Sequence, residues 1–451
     1  MFQDRSHLLL KNVERSSYGI AACDIDRDGT CELFVTGFGE ANRVLKWNGR
    51  GLVDIADPIL ADIEGKAIAV AAADIDGDGE EEIYVLNASA LVGDRLFDFQ
   101  DGKWVDLRSL GQNQNAPNTA AGHSVICLDR FGNGNYGFLV VGDGIPIRLY
   151  ELDRLGRLTD VAAKANLNVV VRGRSAVAVP IFSNRMDVFV AVEDGANLLF
   201  RNRGDGTFEE LADTAGLSDL DENGRGIAVL DADGDGKFDL AYGNWEGQHR
   251  LFLQGMTGHF RNVAPSDLAR SSRIRTAIAA DFDNDGCEEL FFNNVGEPNR
   301  LFGLREGSWR QLDIGDAWEP DGWGTGAVVG DFDGDGCLEL LVAHGESRSQ
   351  PLSLYRADIA AERSWLRVLP LTASGAPARG AICILRVGSH DRMRAIDAGS
   401  GYWCQMEPIA HFGLDKMPRA DRLTVHWSDG TTVAIDNPTA NQLLRVPYPG
   451  S

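Results

Sequence analysis

The feature that most constrains this chain is an acidic hexapeptide that recurs along it. DIDRDG begins at Asp24 and returns as DIDGDG at Asp74, DADGDG at Asp231, DFDNDG at Asp281 and DFDGDG at Asp331. Each copy carries a further acid at its ninth position, and glycine at position six allows a sharp turn. Carboxylates at positions one, three, five and nine are the oxygen ligands that a hard cation such as Ca²⁺ requires. Asp-Gly also forms ordinary hairpin turns, but a turn does not need three alternating aspartates that repel one another.

These loops predict about five Ca²⁺ sites, in which the backbone carbonyl at position seven completes each set. The predicted side-chain ligands are Asp24, Asp26, Asp28, Glu32, Asp74, Asp76, Asp78, Glu82, Asp231, Asp233, Asp235, Asp239, Asp281, Asp283, Asp285, Glu289, Asp331, Asp333, Asp335 and Glu339. Two further repeats have lost most of these acids. The third keeps Asp129 but has Asn133 in place of an acid, and the fourth keeps only Asp187 near position nine. We therefore expect a weak or empty site in the third repeat and an empty one in the fourth.

The spacing of the loops predicts the fold. Their first aspartates are separated by 50 residues, except for one gap of 157 residues that accommodates the two degenerate copies. Each unit contains four short apolar runs separated by turn signals, which indicates four β-strands. Seven such units are typical of a seven-bladed β-propeller, whereas a solenoid would need capping units at its ends. We expect Phe2 to Asp4 to supply the outer strand of the last blade and so close the ring.

The sequence pattern changes near the end of the chain, which predicts a second domain. Short strand-like runs without acidic loops follow residue 363 and indicate a small all-β domain. The predicted organisation is a propeller over residues 1–356, a linker over residues 357–363 and the all-β domain over residues 364–451.

Two families resemble parts of this sequence. The repeats, of the form GxAxxDxDxDGxxELxV…NxLFxxxxGxF, resemble the FG-GAP/VCBS repeats of integrin-type propellers. The runs RSWLRV, GAICILRVG, GSGYWCQ, HFGL and DRLTVHWSDG are similar in order and spacing to the ASPIC/UnbV domain of the cartilage acidic protein family and its bacterial relatives. The resemblance implies a Ca²⁺-loaded propeller with an interaction role, and, through the bacterial relatives, a link to enediyne gene clusters. Cys404 stands where a small hydroxyl residue is usual in that domain.

Composition and charge limit the partners and the compartment. The chain has 451 residues, 44% of them apolar, and a formal net charge of −24, so non-specific nucleic-acid binding is not expected. No apolar run reaches the length of a membrane span. The N-terminal stretch lacks the apolar core of a signal peptide, and the seven cysteines are odd in number without CxxC spacing. These features predict a cytoplasmic protein, with secretion as the alternative if a leader was removed.

Basic and aromatic side chains are predicted at the face of the propeller opposite the acidic loops, here called the top face. The candidate ligand-binding residues are Lys66, Arg174, Arg225, Arg273, Arg275 and Trp323. In a chain this acidic, such cations predict a channel mouth that binds a carboxylate, phosphate or other anion. The alternative is that these side chains pair with neighbouring acids, of which the sequence offers Glu64, Asp221, Glu222 and Asp321.

His123 and Tyr18 are the candidate catalytic residues at this mouth. A histidine beside arginines would resist protonation, which suits a general base. The sequence contains no Ser/His/Asp signature, phosphate-binding glycine loop, zinc spacing or dinucleotide fingerprint. The favoured function is a Ca²⁺-stabilised binding protein that engages a protein or an anionic small molecule at its top face. The alternative is a Ca²⁺-dependent enzyme of bacterial secondary metabolism, of the enediyne type. Neither the ligand nor the oligomeric state follows from the sequence.

Overall fold

The structure, a computed structural model, describes residues 1–89, 92–113 and 122–450, so Ser451 of the predicted C-terminal domain lies outside it. The strands of the repeats are β1 Gln3–Asp4, β2 Ser17–Cys23, β3 Glu32–Gly37, β4 Arg43–Trp47, β5 Leu52–Asp54, β6 Ala67–Ala73, β7 Glu82–Asn87, β8 Arg95–Gln100, β9 Lys103–Asp106, β10 Gly122–Leu128, β11 Gly137–Pro146, β12 Arg148–Leu152, β13 Leu158–Asp160, β14 Val170–Val179, β15 Asp187–Val192, β16 Leu198–Asn202, β17 Phe208–Glu210, β18 Gly224–Leu230, β19 Asp239–Asn244, β20 Arg250–Gln254, β21 Phe260–Asn262, β22 Ile274–Ala280, β23 Glu289–Asn294, β24 Arg300–Arg305, β25 Ser308–Gln311, β26 Gly324–Gly330, β27 Glu339–His344 and β28 Ser353–Arg356. The C-terminal strands are β29 Ser364–Pro370, β30 Ile382–Val387, β31 His390–Ala395, β32 Ala410–Asp415, β33 Arg422–His426, β34 Thr432–Asp436 and β35 Gln442–Val446. The helices are α1 Pro58–Ala61, α2 Ala212–Ala215 and α3 Ser266–Ala269, with short 3-10 turns at Ser6–Leu8, Leu107–Ser109, Asp316–Trp318 and Asp358–Glu362. None of the helices within the described ranges is long and apolar enough to cross a membrane.

Each acidic loop joins the two innermost strands of a four-stranded antiparallel sheet, or blade. The separate blades are β2–β5, β6–β9, β18–β21, β22–β25 and the group β26-β27-β28-β1. Between them, β10–β13 and β14–β17 form one eight-stranded sheet, because β11 and β14 extend far enough to pair, with Asp143 opposite Arg172. The innermost strands β2, β6, β10, β14, β18, β22 and β26 contact one another in this cyclic order, and β26 contacts β2. The prediction of an all-β propeller fold is confirmed.

The N-terminal segment lies in the same sheet as the last repeat. Gln3 and Asp4 of β1 pair antiparallel with Arg356 and Tyr355 of β28. The preceding residue, Phe2, is 2% exposed, and its ring meets that of Phe282 edge-on at a centroid distance of 4.9 Å. Residues from the two ends of the repeat region therefore share one sheet and one core, which links the first and last blades.

The C-terminal strands form a small domain of two sheets. One sheet has the order β32-β29-β35, with β29 and β35 parallel, and the other has the order β31-β30-β33-β34. Alternate side chains of β29, β30, β32 and β33 are buried between the sheets, among them Leu366, Val368, Leu385, Phe412 and Leu423. This domain has its own hydrophobic core, as the predicted all-β domain requires.

The C-terminal domain also fills the channel of the propeller. Residues 396–409, which connect β31 to β32 and are here called the channel segment, run between the innermost strands. Gly401 exchanges two backbone hydrogen bonds of 2.8 Å with Ile227, and the amide of Ala22 donates to the carbonyl of Gln405 at 3.0 Å. The side-chain amide of Gln405 accepts from the amide of Ala72 at 2.7 Å and donates to its carbonyl at 3.0 Å. The segment is therefore held by hydrogen bonds to several blades.

Small residues on the innermost strands permit this close approach. A Cβ at Gly19 would lie 2.4 Å from the carbonyl oxygen of Trp403, and one at Gly326 would lie 2.6 Å from Sγ of Cys404. Both positions therefore require glycine, and Cys404 occupies the space that Gly326 leaves open.

Replacing Phe2 with alanine should test the closure of the ring. Because Phe2 is buried in a core formed by the last two blades, we expect Phe2→Ala to lower the free energy of unfolding by about 3 kcal/mol. Gln3→Ala, which truncates the exposed neighbour on β1, is the control and should change it by less than about 0.5 kcal/mol. Equilibrium unfolding in urea measures both. Equal effects of the two substitutions would contradict the packing described here.

Candidate functional site

The acidic loops share a backbone scaffold that explains their sequence pattern. The amide of the glycine at position six donates to the first aspartate, as Gly29 does to Asp24 at 2.8 Å, and Gly29 has a φ of +90° that favours glycine. The ninth acid accepts from the loop backbone on its other side, as Glu32 does from the amides of Ile25 at 2.8 Å and Asp26 at 3.1 Å. The same two contacts recur in the other four predicted loops. The first and ninth acids thus fold the loop.

Carboxylate oxygens converge at these centres. Three or more acids bring oxygens within 4.8 Å of one another in the sets Asp24, Asp26 and Glu32; Asp74, Asp76 and Asp78; Asp76, Glu82 and Asp98; Asp231, Asp233 and Asp239; and Asp281, Asp283 and Asp285. Burial, together with repulsion between neighbouring carboxylates, raises the pKa of Asp76 to about 6. Oδ1 of Asp24 and Oδ1 of Asp231 are buried and have no hydrogen-bond partner in the described part of the chain. These clusters could hold metal ions, and an all-oxygen donor set fits a hard divalent cation.

The two degenerate repeats keep the scaffold and replace the acidic centre. Asp129 accepts hydrogen bonds from the amides of Phe131, Gly132 and Gly134 at 2.7–3.2 Å. Asp187 accepts from the amides of Ile181, Phe182 and Asn202. Backbone amides therefore saturate both carboxylates.

The arginines of the channel mouth are paired with carboxylates. Arg174 contacts Glu193, and Nη2 of Arg225 lies 2.7 Å from Oε1 of the same glutamate. Nη2 of Arg275 lies 2.6 Å from Oε1 of Glu346. These arginines are therefore paired with acids, which was the alternative prediction from the sequence. Their partners are Glu193 and Glu346, which the sequence analysis did not name.

His123 and Tyr18 lie in this network, and both resist ionisation. Nη1 of Arg174 lies 2.6 Å from Nε2 of His123. Because a guanidinium only donates hydrogen bonds, Nε2 must accept, so His123 is neutral. Burial and the nearby Arg174 lower the pKa of His123 to about 4. Burial and Glu346 raise the pKa of Tyr18 to about 12, and its hydroxyl accepts from the amide of Glu346 at 3.1 Å.

The floor of the mouth is made by the channel segment. The ring of Trp403 lies 5.1 Å from that of Tyr18, and the guanidinium of Arg275 lies 5.7 Å from the ring of Tyr402 and 4.1 Å from that of Trp245. Both domains therefore build this site. Sequence reasoning missed Tyr402 and Trp403 because GSGYWCQ was assigned to the C-terminal domain alone. Two adjacent aromatic residues flanked by glycine and glutamine were the available signal.

Three buried N–H groups at the mouth have no acceptor among the described residues: Nε1 of Trp403, Nε of Arg174 and Nε of Arg225. An unpartnered buried donor costs roughly 1–3 kcal/mol, so a polar group that accepts from it is strongly favoured. The charges themselves balance, because Arg172, Arg174, Arg225 and Arg275 contact Asp143, Glu193, Asp194 and Glu346. The mouth therefore offers hydrogen-bond donors rather than an excess of positive charge.

The remaining candidates form other contacts within the part of the chain that the structure describes. Arg273, with 51% of its side chain exposed, pairs with Glu246 at 2.9 Å. Nζ of Lys66 lies 6.0 Å from the ring of Phe38, and the amide of Trp323 donates to Gln350 at 2.8 Å. These three residues remain predictions for ligand contact.

Comparison with known proteins identifies the family. Residues 371–451 match the family described as ASPIC and UnbV, and residues 24–85, 183–242 and 231–292 match an FG-GAP-like repeat. Cartilage acidic protein 1 of Xenopus tropicalis is 44% identical, with 97% of this chain and 74% of that protein covered. The mouse protein of the same name is 43% identical, with 97% and 75% covered. The chain belongs to the cartilage acidic protein family.

Solved structures outside the cartilage acidic protein family overlap only loosely. BBS1N, solved in complex with ARL6DN, is 11% identical, with a TM-score of 0.49 over 76% of this chain and 93% of that one. BP39L lectin from Burkholderia pseudomallei is 13% identical, with a TM-score of 0.48 over 76% of this chain and 99% of that one. Similarities this low say nothing about ligands.

Membership of the cartilage acidic protein family corrects the predicted compartment. The prediction of a cytoplasmic protein is wrong, because the relatives are cartilage acidic protein 1, an extracellular matrix protein, and this points to secretion. The cysteine argument failed for a physical reason. Five of the seven free cysteines are buried, so they can remain unpaired in an oxidising environment. Cys287 is exposed.

The buried, neutral His123 should make stability depend on pH. The unfolded chain binds a proton on this histidine near pH 6.5, whereas the folded protein does so only near pH 4. The unfolded state therefore binds more protons between these values, and the free energy of unfolding should fall as the pH is lowered through them. Urea unfolding at pH 7, 5.5 and 4.5 should show a smaller loss for His123→Gln than for the wild type. Exposed His390→Gln is the control, and a loss unchanged in His123→Gln would contradict the assignment.

Proposed function

We propose that this protein is a calcium-stabilised binding protein whose channel mouth accepts an acceptor-bearing group, a carboxylate or a related anion, of a small molecule or a protein. The observation that carries the proposal is the set of three buried, unpartnered N–H groups on Trp403, Arg174 and Arg225. They belong to two domains. The rings of Tyr18 and Tyr402 contact that of Trp403, and the ring of Trp245 lies 5.7 Å from the guanidinium of Arg225. A ligand oxygen would satisfy these donors, and the aromatic walls would contact its apolar part.

The balanced charges of the mouth favour binding by hydrogen bonds. Glu193 and Glu346 hold the arginines in place, so the donors are positioned before a ligand arrives. A carboxylate meets such donors through charge-assisted hydrogen bonds, which are stronger than neutral ones. Arg225, which is 5% exposed, would act as an anchor that loses little freedom on binding.

The acidic loops support the calcium part of the proposal. Their carboxylates are close enough to repel one another, and a bound cation would remove that repulsion and stabilise the hairpin between the first two strands of a blade. We propose Ca²⁺ at the five acidic loops and no ion at Asp129 or Asp187, because each of these two repeats keeps only one of the four loop acids. The role proposed for these ions is structural, because the acids of each loop belong to the hairpin that the ion would stabilise.

The enzyme alternative has less support. His123 is in contact with a donor, Arg174, rather than with a nucleophile that it could deprotonate. Tyr18 accepts a hydrogen bond and has a raised pKa, so it is a poor proton donor at neutral pH. The link to secondary metabolism came from a resemblance to bacterial proteins, and none of these contacts adds to it.

Trp403→Phe tests the binding site, because it removes one N–H group and keeps an aromatic ring. A hydrogen bond to a charged ligand contributes about 1.5–3 kcal/mol, so we expect affinity to fall by about tenfold or more. Calorimetry with acetate, succinate, citrate, phosphate and sulfate, in the presence of Ca²⁺, measures binding of small anions, and immobilised polyglutamate measures binding of protein carboxylates. Arg225→Met should lower the affinity for the same ligand.

Trp104→Phe is the matched control for this experiment. Trp104 packs against Phe99 on an outer strand of the second blade, with centroids 5.4 Å apart. This substitution should leave affinity unchanged. If the wild type, Trp403→Phe and Arg225→Met respond alike to every anion and to polyglutamate, the binding proposal is wrong.

Removal of calcium should destabilise the protein. Each site filled at one hundred times its dissociation constant adds about 2.7 kcal/mol to the free energy of unfolding. Exhaustive chelation should therefore lower the melting temperature, and Ca²⁺ should restore it. Asp233→Asn should also lose one equivalent of bound calcium in equilibrium dialysis, whereas Asp187→Asn should lose none. A melting curve unaffected by chelation would exclude a structural role for the loops.

A further inference from the structure

One strand position beside the acidic loops carries a different residue in each blade. It lies on the third strand, directly opposite the ninth acid, and is here called the facing position. In the last two blades Glu289 pairs with Gly303 and Glu339 with Arg356. In the other three blades the strands pair at Leu33–Leu45, Ile83–Phe97 and Leu240–Phe252. One residue further along, the facing residues are Lys46, Asp98 and Leu253. The facing position is therefore basic at the first and seventh loops and acidic at the second. It is apolar at the fifth loop and a glycine at the sixth.

Lys46 places its ammonium inside the first loop. Its Nζ contacts Asp26 and lies 2.6 Å from Oδ2 of Asp28 and 3.1 Å from Oε1 of Glu32. Asp26 and Glu32 belong to the cluster whose oxygens converge there. A tethered ammonium thus occupies the centre that a metal ion would occupy, and both cations cannot be there at once.

At the sixth and seventh loops, an arginine makes fewer short contacts with the loop acids than Lys46 makes at the first loop. Nη1 of Arg356 lies 2.8 Å from Asp335 but 3.7 Å from Asp333 and 3.9 Å from Glu339. Arg305, two residues beyond Gly303, lies 3.0 Å from Glu289 and 3.8 Å from Asp285. Each arginine makes one short contact with a loop acid, whereas Lys46 makes three.

The second loop is the opposite case. Asp98, which is 2% exposed, adds a buried carboxylate whose oxygen lies within 4.8 Å of those of Asp76 and Glu82. The loop therefore gathers five acids, and among the described residues no basic side chain forms an ion pair with Asp74, Asp76, Glu82 or Asp98. Five carboxylates without a cation would repel one another in a poorly solvated site.

We propose that the facing residue sets the cation affinity of each loop, so that Ca²⁺ fills the second loop first and the first loop last, where Lys46 serves as a built-in substitute for the ion. The inference rests on the proposed calcium sites. The first loop opens on a cleft of about 680 Å³ between the acidic-loop face and the C-terminal domain, which gives Lys46 room to withdraw when calcium is high. Part of this protein's metal requirement is thereby replaced by its own side chain.

The test uses Lys46→Met, which removes the charge and keeps the length, and Lys103→Met, an exposed lysine on β9, as the control. In equilibrium dialysis with Ca²⁺, Lys46→Met should tighten the weakest binding class by about tenfold, the change that a 1.4 kcal/mol difference produces. In chelator, where no calcium is present, Lys46→Met should melt below the wild type because three acids lose their counter-ion, and added Ca²⁺ should restore it. Lys103→Met should follow the wild type in both measurements.

Asp98→Asn tests the second loop, which is proposed to bind Ca²⁺ most tightly. This test does not depend on whether Lys46→Met folds. It should weaken the tightest binding class by about tenfold and leave the weakest unchanged. The proposal is overturned if Asp98→Asn leaves the tightest class unchanged, or if Lys46→Met behaves like Lys103→Met in chelator. A wild type that binds no calcium at all would instead refute the proposed calcium sites, while the chelator measurement would still decide the role of Lys46.

Discussion

The constraint on which the rest of the structure depends is the crowding of carboxylates on one face of the propeller. Acids that converge within a few ångströms must be neutralised, and the protein does so in three ways: with backbone amides, with side chains of the same blade, and with the C-terminal domain. Arg367 lies 2.9 Å from Asp331, Arg394 lies 3.1 Å from Glu288, and Arg379 lies 2.6 Å from Glu81. These pairs are almost fully buried, so removing one partner would leave an uncompensated buried charge. The acidic face thereby specifies where the second domain docks.

Docking on that face brings the channel segment into the ring. Alanines and glycines on the innermost strands leave a channel that a backbone can enter, and Gln405 and Gly401 form hydrogen bonds with strands on different sides of it. Each blade alone has a modest core, whereas the segment adds a shared interior that contacts β2, β6, β10 and β18. The ring and the C-terminal domain are therefore expected to unfold together rather than as independent units.

Local patterns predicted the fold well, and long-range contacts limited the prediction of the site. The acids of the loops, the strands on either side of them and the all-β fold follow from short-range rules about turns, alternation and spacing. The pairing of Arg225 with Glu193 joins residues 32 apart, and no sequence rule chooses Glu193 over Glu222. The third and fourth blades form one sheet because β11 and β14 are long enough to pair. The sequences of these degenerate repeats do not predict that length. Tyr402 and Trp403 reach the mouth only because another domain docks on the opposite face.

The two faces of the propeller are consequently connected through a rigid element. The channel segment begins and ends in the C-terminal domain at the acidic face, and its tip forms the floor of the mouth. A ligand that hydrogen-bonds to Trp403 binds only the docked arrangement, and cations that neutralise the acidic loops favour the folded propeller on which docking occurs. Under the proposed function, each would strengthen the other to the extent that the undocked state is populated, since both stabilise the same state. The number of filled loops would in this way affect a site that contains no metal ligand.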